Sequence, residues 1–200
     1  MLVNKNNNFK KLYWIRHGES LSNLSESNYE IIDPCLTLKG LEQCELLKKK
    51  LENEKIIDSI DLIVVSPLNR TLETYINVID KKKCENISTI SLDEIREHIN
   101  QPCHKRMPIS EKRKKYKFVN FDKIKNNQDL MYDKFNGLEP KTNVIQRCEW
   151  FINWLKNRKE KNIIIITHGN FLFPMFLDIL TDMENKTFFS NCELRKNILV

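Results

Sequence analysis

The stretch NIIIITHGN, residues 162–170, sets four consecutive isoleucines directly against Thr167, His168 and Gly169. A short run of β-branched residues of this kind reads as a strand buried on both faces, at the centre of a parallel sheet. KLYWIR (11–16), DLIVVS (61–66) and ISTISL (87–92) read as further strands, and a last one is expected within 192–200. Helical patterns fill the gaps. Thr37 is expected to cap a helix with Leu41, Cys44, Leu47 and Leu51 on its apolar face. Ser66 and Pro67 read as N-cap and first position of a helix running to Ile79. Val144, Cys148, Phe151, Ile152 and Leu155 mark the buried stripe of a helix over 142–158, and Asn170 is expected to cap a short one. This alternation implies an α/β fold: a three-layer sandwich with a mostly parallel central sheet and helices on both faces. Residues 93–140 break the rhythm, with three of the six prolines and little periodicity. They are read as a lid-like insertion in a single domain spanning 1–200, whose Asn- and Lys-rich residues 1–9 are expected to be frayed.

A chain of 200 residues with 40% hydrophobic and 30% charged residues is that of a soluble globular protein with a sizeable core. The composition, rich in Asn, Lys and Ile, resembles that of proteins from AT-rich genomes such as those of malaria parasites. The six cysteines show no CxxC and no metal-ligand spacing. The N-terminus lacks the apolar core of a signal peptide, and no apolar run approaches the roughly 20 residues of a membrane span. The expectation is a reduced, cytoplasmic protein. A formal charge of +6 favours anionic partners without demanding nucleic acid. The basic stretch 104–117 has no aromatic stacking platform or DNA-binding motif beside it, so it reads as a solvated loop or a mobile lid for an acidic substrate. Expected partners are a small phosphorylated substrate, with no nucleic acid and no membrane; a homodimer is left open.

Of only four glycines, Gly18 and Gly169 each follow a histidine at the end of an apolar strand, in WIRHG and IIITHG. Ligands of open α/β sheets sit beyond the carboxyl ends of the strands, so His17 and His168 should project from one edge. Arg16 precedes His17, and Arg70 falls in the first turn of the helix after DLIVVS, where a helix N-terminus already favours anions. Two guanidinium forks beside two imidazoles make a pocket suited to phosphate. His98, Cys103 and His104 lack a complete ligand set, and no metal or other cofactor is expected.

These motifs resemble the histidine phosphatase superfamily, in the branch that contains the phosphoglycerate mutases. Arg16-His17-Gly18-Glu19-Ser20 with Asn23 is similar to its phosphate-binding signature. Leu36-Thr37 with Gly40 and Gln43, then Ser66 to Thr71 with Thr74, then Thr167-His168-Gly169-Asn170 resemble its later blocks, in the same order. The resemblance implies His17 as a nucleophile that forms a phosphohistidine, with Arg16, Arg70 and His168 holding the phosphoryl oxygens. It assigns substrate binding to Asn23, Ser20, Thr37, Gly169 and Arg106. The family's acid is a glutamate after the third central strand. Glu97 fits best, ahead of Glu94 and then Asp93, although Gln101 stands where the family has glycine. A short chain, with Ser22 where the mutases carry tryptophan, favours a metal-independent phosphomonoester phosphatase. The alternatives are a phosphoglycerate mutase and a non-catalytic phosphate- or protein-binding homologue.

Overall fold

A computed structural model describes residues 9–180 and 187–200. Residues 1–8, which carry most of the segment expected to fray, lie outside the described residues. The sheet has five strands in the order β3-β2-β4-β1-β5: β1 (Lys10–Arg16), β2 (Leu62–Val65), β3 (Ser88–Ser91), β4 (Asn162–Thr167) and β5 (Leu194–Leu199). The first four are mutually parallel, and β5 pairs antiparallel with β1 at one edge.

Alternation along each strand divides the core in two. Tyr13, Ile15, Ile63, Val65, Ile164 and Ile166 point to one face. There they meet α1 (Leu38–Asn53) and α2 (Asn69–Val78) through Cys44, Leu47, Leu51, Leu72, Tyr75 and Val78. Leu12, Trp14, Leu62, Val64, Ile163 and Ile165 face the other way. They pack on α6 (Lys141–Lys156) and α7 (Gly169–Pro174), which continues as a π-helical turn over Met175–Ile179. The layers are those of the expected sandwich. The remaining helices are short: α3 (Lys81–Cys84), α4 (Ile109–Lys115) and α5 (Leu130–Lys134). No helix among the described residues is long and apolar enough to cross a membrane.

Three local expectations are corrected. Leu41 is 40% exposed, because α1 rests on the sheet through Cys44, Leu47 and Leu51 alone. Neither Ser66 nor Pro67 caps α2. The N-cap is Leu68, which has no capping side chain, and Asp33 supplies the bond instead by accepting the Asn69 N–H at 2.6 Å. Asn170 does not cap α7 either; His168 is its N-cap and Asn170 lies inside the first turn. The segment 93–140 is tied into the molecule rather than laid over it. Ile109, Tyr116, Val119, Phe121 and Ile124 enter the α1–α2 side of the core. Buried ion pairs join Arg96 to Asp129 at 2.6 Å and Arg147 to Glu139 at 2.8 Å. Of the basic run in 104–117, Lys112 is buried against Asp33, Arg113 pairs with Asp122 and Lys115 with Glu73.

Candidate active site

Parallel register decides what meets at the carboxyl edge of the sheet. Arg16 lies opposite Thr167, and Val65 opposite Ile166, so His17, His168 and Ser66 emerge side by side. The imidazole centroids of His17 and His168 are 5.0 Å apart. His17 Nδ1 lies 2.7 Å from its neighbour's carbonyl, Gly18 O, while Arg70 Nε donates to His17 Nε2 at 3.3 Å. A carbonyl can only accept and a guanidinium can only donate. His17 is therefore the neutral tautomer with its proton on Nδ1 and its lone pair on Nε2. Burial, then the charges of Arg70 and Arg16, hold its pKa well below the usual imidazole value, which keeps that lone pair free.

His168 is fully buried and bonded through Nε2 to Ser66 Oγ at 2.8 Å. Burial, Arg70 and His17 hold its pKa well down too. Its Nδ1 and the Nε of Arg16 are buried polar atoms without a hydrogen-bond partner among the described residues. Leaving such groups unpaired costs about 1–3 kcal/mol each. Arg16 is otherwise fixed by donating Nη1–H to Phe189 O at 2.6 Å, and Arg70 by donating Nη1–H to Cys103 O at 3.2 Å.

The family-like blocks outside the cleft act as a frame. The Gly18 amide donates to Thr74 Oγ1 at 3.0 Å, and Thr74 donates to Arg70 O at 2.7 Å, which ties the loop after His17 to α2. The Glu19 amide donates to Gln43 Oε1 at 2.8 Å. A methyl group on Gly40 would lie 2.1 Å from Glu19 O, so only glycine lets α1 approach that loop so closely. Thr37 caps α1 at the Gly40 amide and donates to Glu19, and Ser20 is fully buried against Ser22 and Asn23. Both therefore brace the loop and do not line the cleft. Gly169 sits behind Arg16, where an added Cβ would approach Arg16 Nε to 3.3 Å and clash with the Phe188 ring.

The cleft, of about 190 Å³, is lined by Arg16, His17, Asn23, Arg70 and Glu97. Ser22, Tyr29, Asn100, Gln101, Cys103, His104, Asn170 and Phe188 complete its walls. Of the three carboxylates weighed as acid, Glu97 is the one at the cleft. Its Oε1 accepts N–H bonds from His98 at 2.9 Å and Asn170 at 3.1 Å. Asp93 is spent on Arg96 and Arg106, and Glu94 stands apart from the cleft. Arg106 does not reach the cleft, which corrects its assignment to substrate binding. Its guanidinium is consumed by Asp93 and by the carbonyls of Asn126, Asn127 and Gln128. Tyr29, Asn100, His104 and Phe188 were missed by motif reasoning, because they reach the cleft from loops with no local pattern of their own.

One donor atom from each of His17, Glu97 and His168 lies within 4.8 Å of the others, a spacing a cation could bridge. The guanidiniums of Arg16 and Arg70 in the same cleft oppose a cation and favour an anion.

Comparison with known proteins agrees with this geometry. The model of the histidine phosphatase superfamily (branch 1) matches residues 12–196. Phosphoglycerate mutase-like protein 1 of Arabidopsis thaliana is 28% identical, over 96% of this chain and 81% of its own length. Phosphoserine phosphatase 1 of Hydrogenobacter thermophilus is 26% identical, over 85% of this chain and 76% of its own. The solved alpha-ribazole phosphatase of Shigella flexneri superposes with a TM-score of 0.62 at 18% identity, covering 93% of this chain and 89% of that one. With its family model spanning nearly the whole sheet and all four motif blocks, the chain belongs to branch 1 of the histidine phosphatase superfamily.

Proposed function

We propose that the protein is a phosphomonoester phosphatase that works through a phosphohistidine and without a metal ion. The observation that carries this reading is the fixed tautomer of His17, which presents a neutral Nε2 beside Arg70. In the first half-reaction Nε2 attacks phosphorus, the P–O ester bond breaks, and the protonated carboxyl of Glu97 gives its proton to the leaving oxygen. Two N–H donors occupy Glu97 Oε1, so Oε2 is the oxygen left to carry that proton. In the second half-reaction water attacks the P–N bond, its proton passes to the Glu97 carboxylate, and phosphate and neutral His17 are released. Arg16, Arg70 and His168 hold the phosphoryl oxygens, with Arg16 Nε and His168 Nδ1 still available to bond them among the described residues. The relatives include both mutase-like proteins and phosphatases; the uncharged Ser22, Asn23, Asn100 and Gln101 in the cleft lining favour the phosphatase.

The test is hydrolysis of p-nitrophenyl phosphate with and without EDTA, comparing wild type with His17→Ala. Turnover that resists EDTA and is lost in the variant supports the reading. Equal rates in the two proteins sink it. Incubation with 3-phosphoglycerate, with and without 2,3-bisphosphoglycerate, checks the mutase alternative, for which isomerisation would have to outpace phosphate release.

A further inference from the structure

Beside the phosphate cleft lies a second depression, a groove of about 430 Å³. Val144 and Ile145 of α6, Phe173 and Pro174 of α7, and Phe188 form its apolar wall. Asn170 and Phe188 line both hollows, so the two adjoin. Phe173 is 42% and Phe188 47% exposed, with ring centroids 6.2 Å apart. Apolar area left in water costs about 25 cal/mol per Å², which makes two neighbouring half-exposed rings at a cleft mouth a feature that asks for an occupant. Phe188 is also held in place. The Arg16 guanidinium lies 5.1 Å from its ring centroid, so one ring joins the phosphate clamp to the groove.

The position of Glu97 gives the direction of travel. Its carboxylate accepts the N–H of Asn170, the residue shared by both hollows. Glu97 thus stands at the junction of the two hollows, so a leaving group protonated by its free Oε2 is released beside the groove. The distribution of charge points the same way. Arg96, Arg106 and Arg147 are held in buried ion pairs with Asp129, Asp93 and Glu139. Among the described residues lining the groove, Lys141 and Asp178 carry opposite charges and His98 is the other titratable side chain, so the groove itself presents no guanidinium to a leaving-group carboxylate.

We infer that this groove is the leaving-group subsite, and that the preferred substrate is the phosphate monoester of an extended, largely apolar alcohol rather than of a short carboxylated one. The inference rests on the phosphatase reading and specifies its substrate class.

Ethyl, butyl and hexyl phosphate provide the test, because their leaving alcohols have nearly equal acidity and differ only in apolar length. For wild type, kcat/KM is expected to climb at least about ten-fold from ethyl to hexyl, since a methylene in an apolar pocket is worth that order of discrimination. The climb should vanish in Phe173→Ser and persist in Phe173→Leu, while 3-phosphoglycerate is turned over less well than hexyl phosphate. A flat wild-type series alongside normal p-nitrophenyl phosphate hydrolysis overturns the subsite and leaves the phosphatase reading standing. A climb that survives Phe173→Ser places the chain elsewhere and also overturns it. If no ester is hydrolysed, p-nitrophenyl phosphate included, the phosphatase reading itself falls and the subsite with it.

Discussion

His17 is held between two partners of fixed polarity, the Gly18 carbonyl and the Arg70 Nε–H, and this decides which nitrogen can attack phosphorus. Glu97 stands across the cleft from that nitrogen's loop with one oxygen occupied by backbone amides. An acid matters most when the leaving group is poor. Glu97→Gln should therefore lower kcat for an alkyl phosphate by about 10²–10⁴-fold while p-nitrophenyl phosphate loses much less. Glu94→Gln, outside the cleft, should leave both rates near wild type, and steady-state kinetics on the two esters checks the pair. The buried histidines also set a pH dependence of stability. Above pH 6.5 the rings of His17 and His168 are neutral in both folded and unfolded chains. As pH falls below 6.5 the unfolded chain takes up protons that the native rings refuse, because their native pKa values lie well below 6.5. Stability is thus lost downward from pH 6.5 to those native values. Urea midpoints at pH 7.5, 6.5 and 5.5 should fall in that order, and the fall should be shallower in His168→Asn.

At the scale of elements, α2 depends on a cap from a distant part of the chain. Asp33, 2% exposed and at φ 50°, accepts the amides of Asn69 and Met107 and pairs with the buried ammonium of Lys112. A single carboxylate thus joins the loop between β1 and α1, the N-terminus of α2 that carries Arg70, and α4. Breaking a buried pair by removing one partner leaves the other charge without compensation. Asp33→Ala is expected to cost about 3–5 kcal/mol in urea unfolding. The double change Asp33→Ala with Lys112→Met should recover a substantial part, since it removes the stranded charge as well. A double variant no more stable than Asp33→Ala would show that the helix cap, and not the ion pair, carries the effect.

For the whole molecule, the guanidiniums of Arg16 and Arg70, lining one cleft at the sheet edge, make phosphate a stabilising ligand. Thermal unfolding should shift upward with inorganic phosphate, corresponding to about 2.7 kcal/mol at a hundred-fold excess over its Kd. The shift should be lost in Arg70→Ala, and an equal shift in that variant would place the anion elsewhere. Much of this architecture was readable along the chain. The short apolar runs of KLYWIR, LIVV and NIIIIT and the 3.6-residue stripe of α6 are local signals, which depend only on nearby neighbours. The two His-Gly strand ends put His17 and His168 on one edge for the same reason, once the strands are parallel. The rest depended on contacts between residues far apart in sequence, which no local pattern encodes. Asp33 and not Ser66 caps α2, and Arg106 is consumed by Asp93 and loop carbonyls instead of meeting substrate. Tyr29, Asn100, His104 and Phe188 arrive at the cleft from three separate loops. Thus the sequence by itself determined the layers and the reactive pair of histidines, through short-range periodicity and strand ends. Only tertiary packing decided the full set of walls around them, because residues from separate loops meet there only in the folded chain.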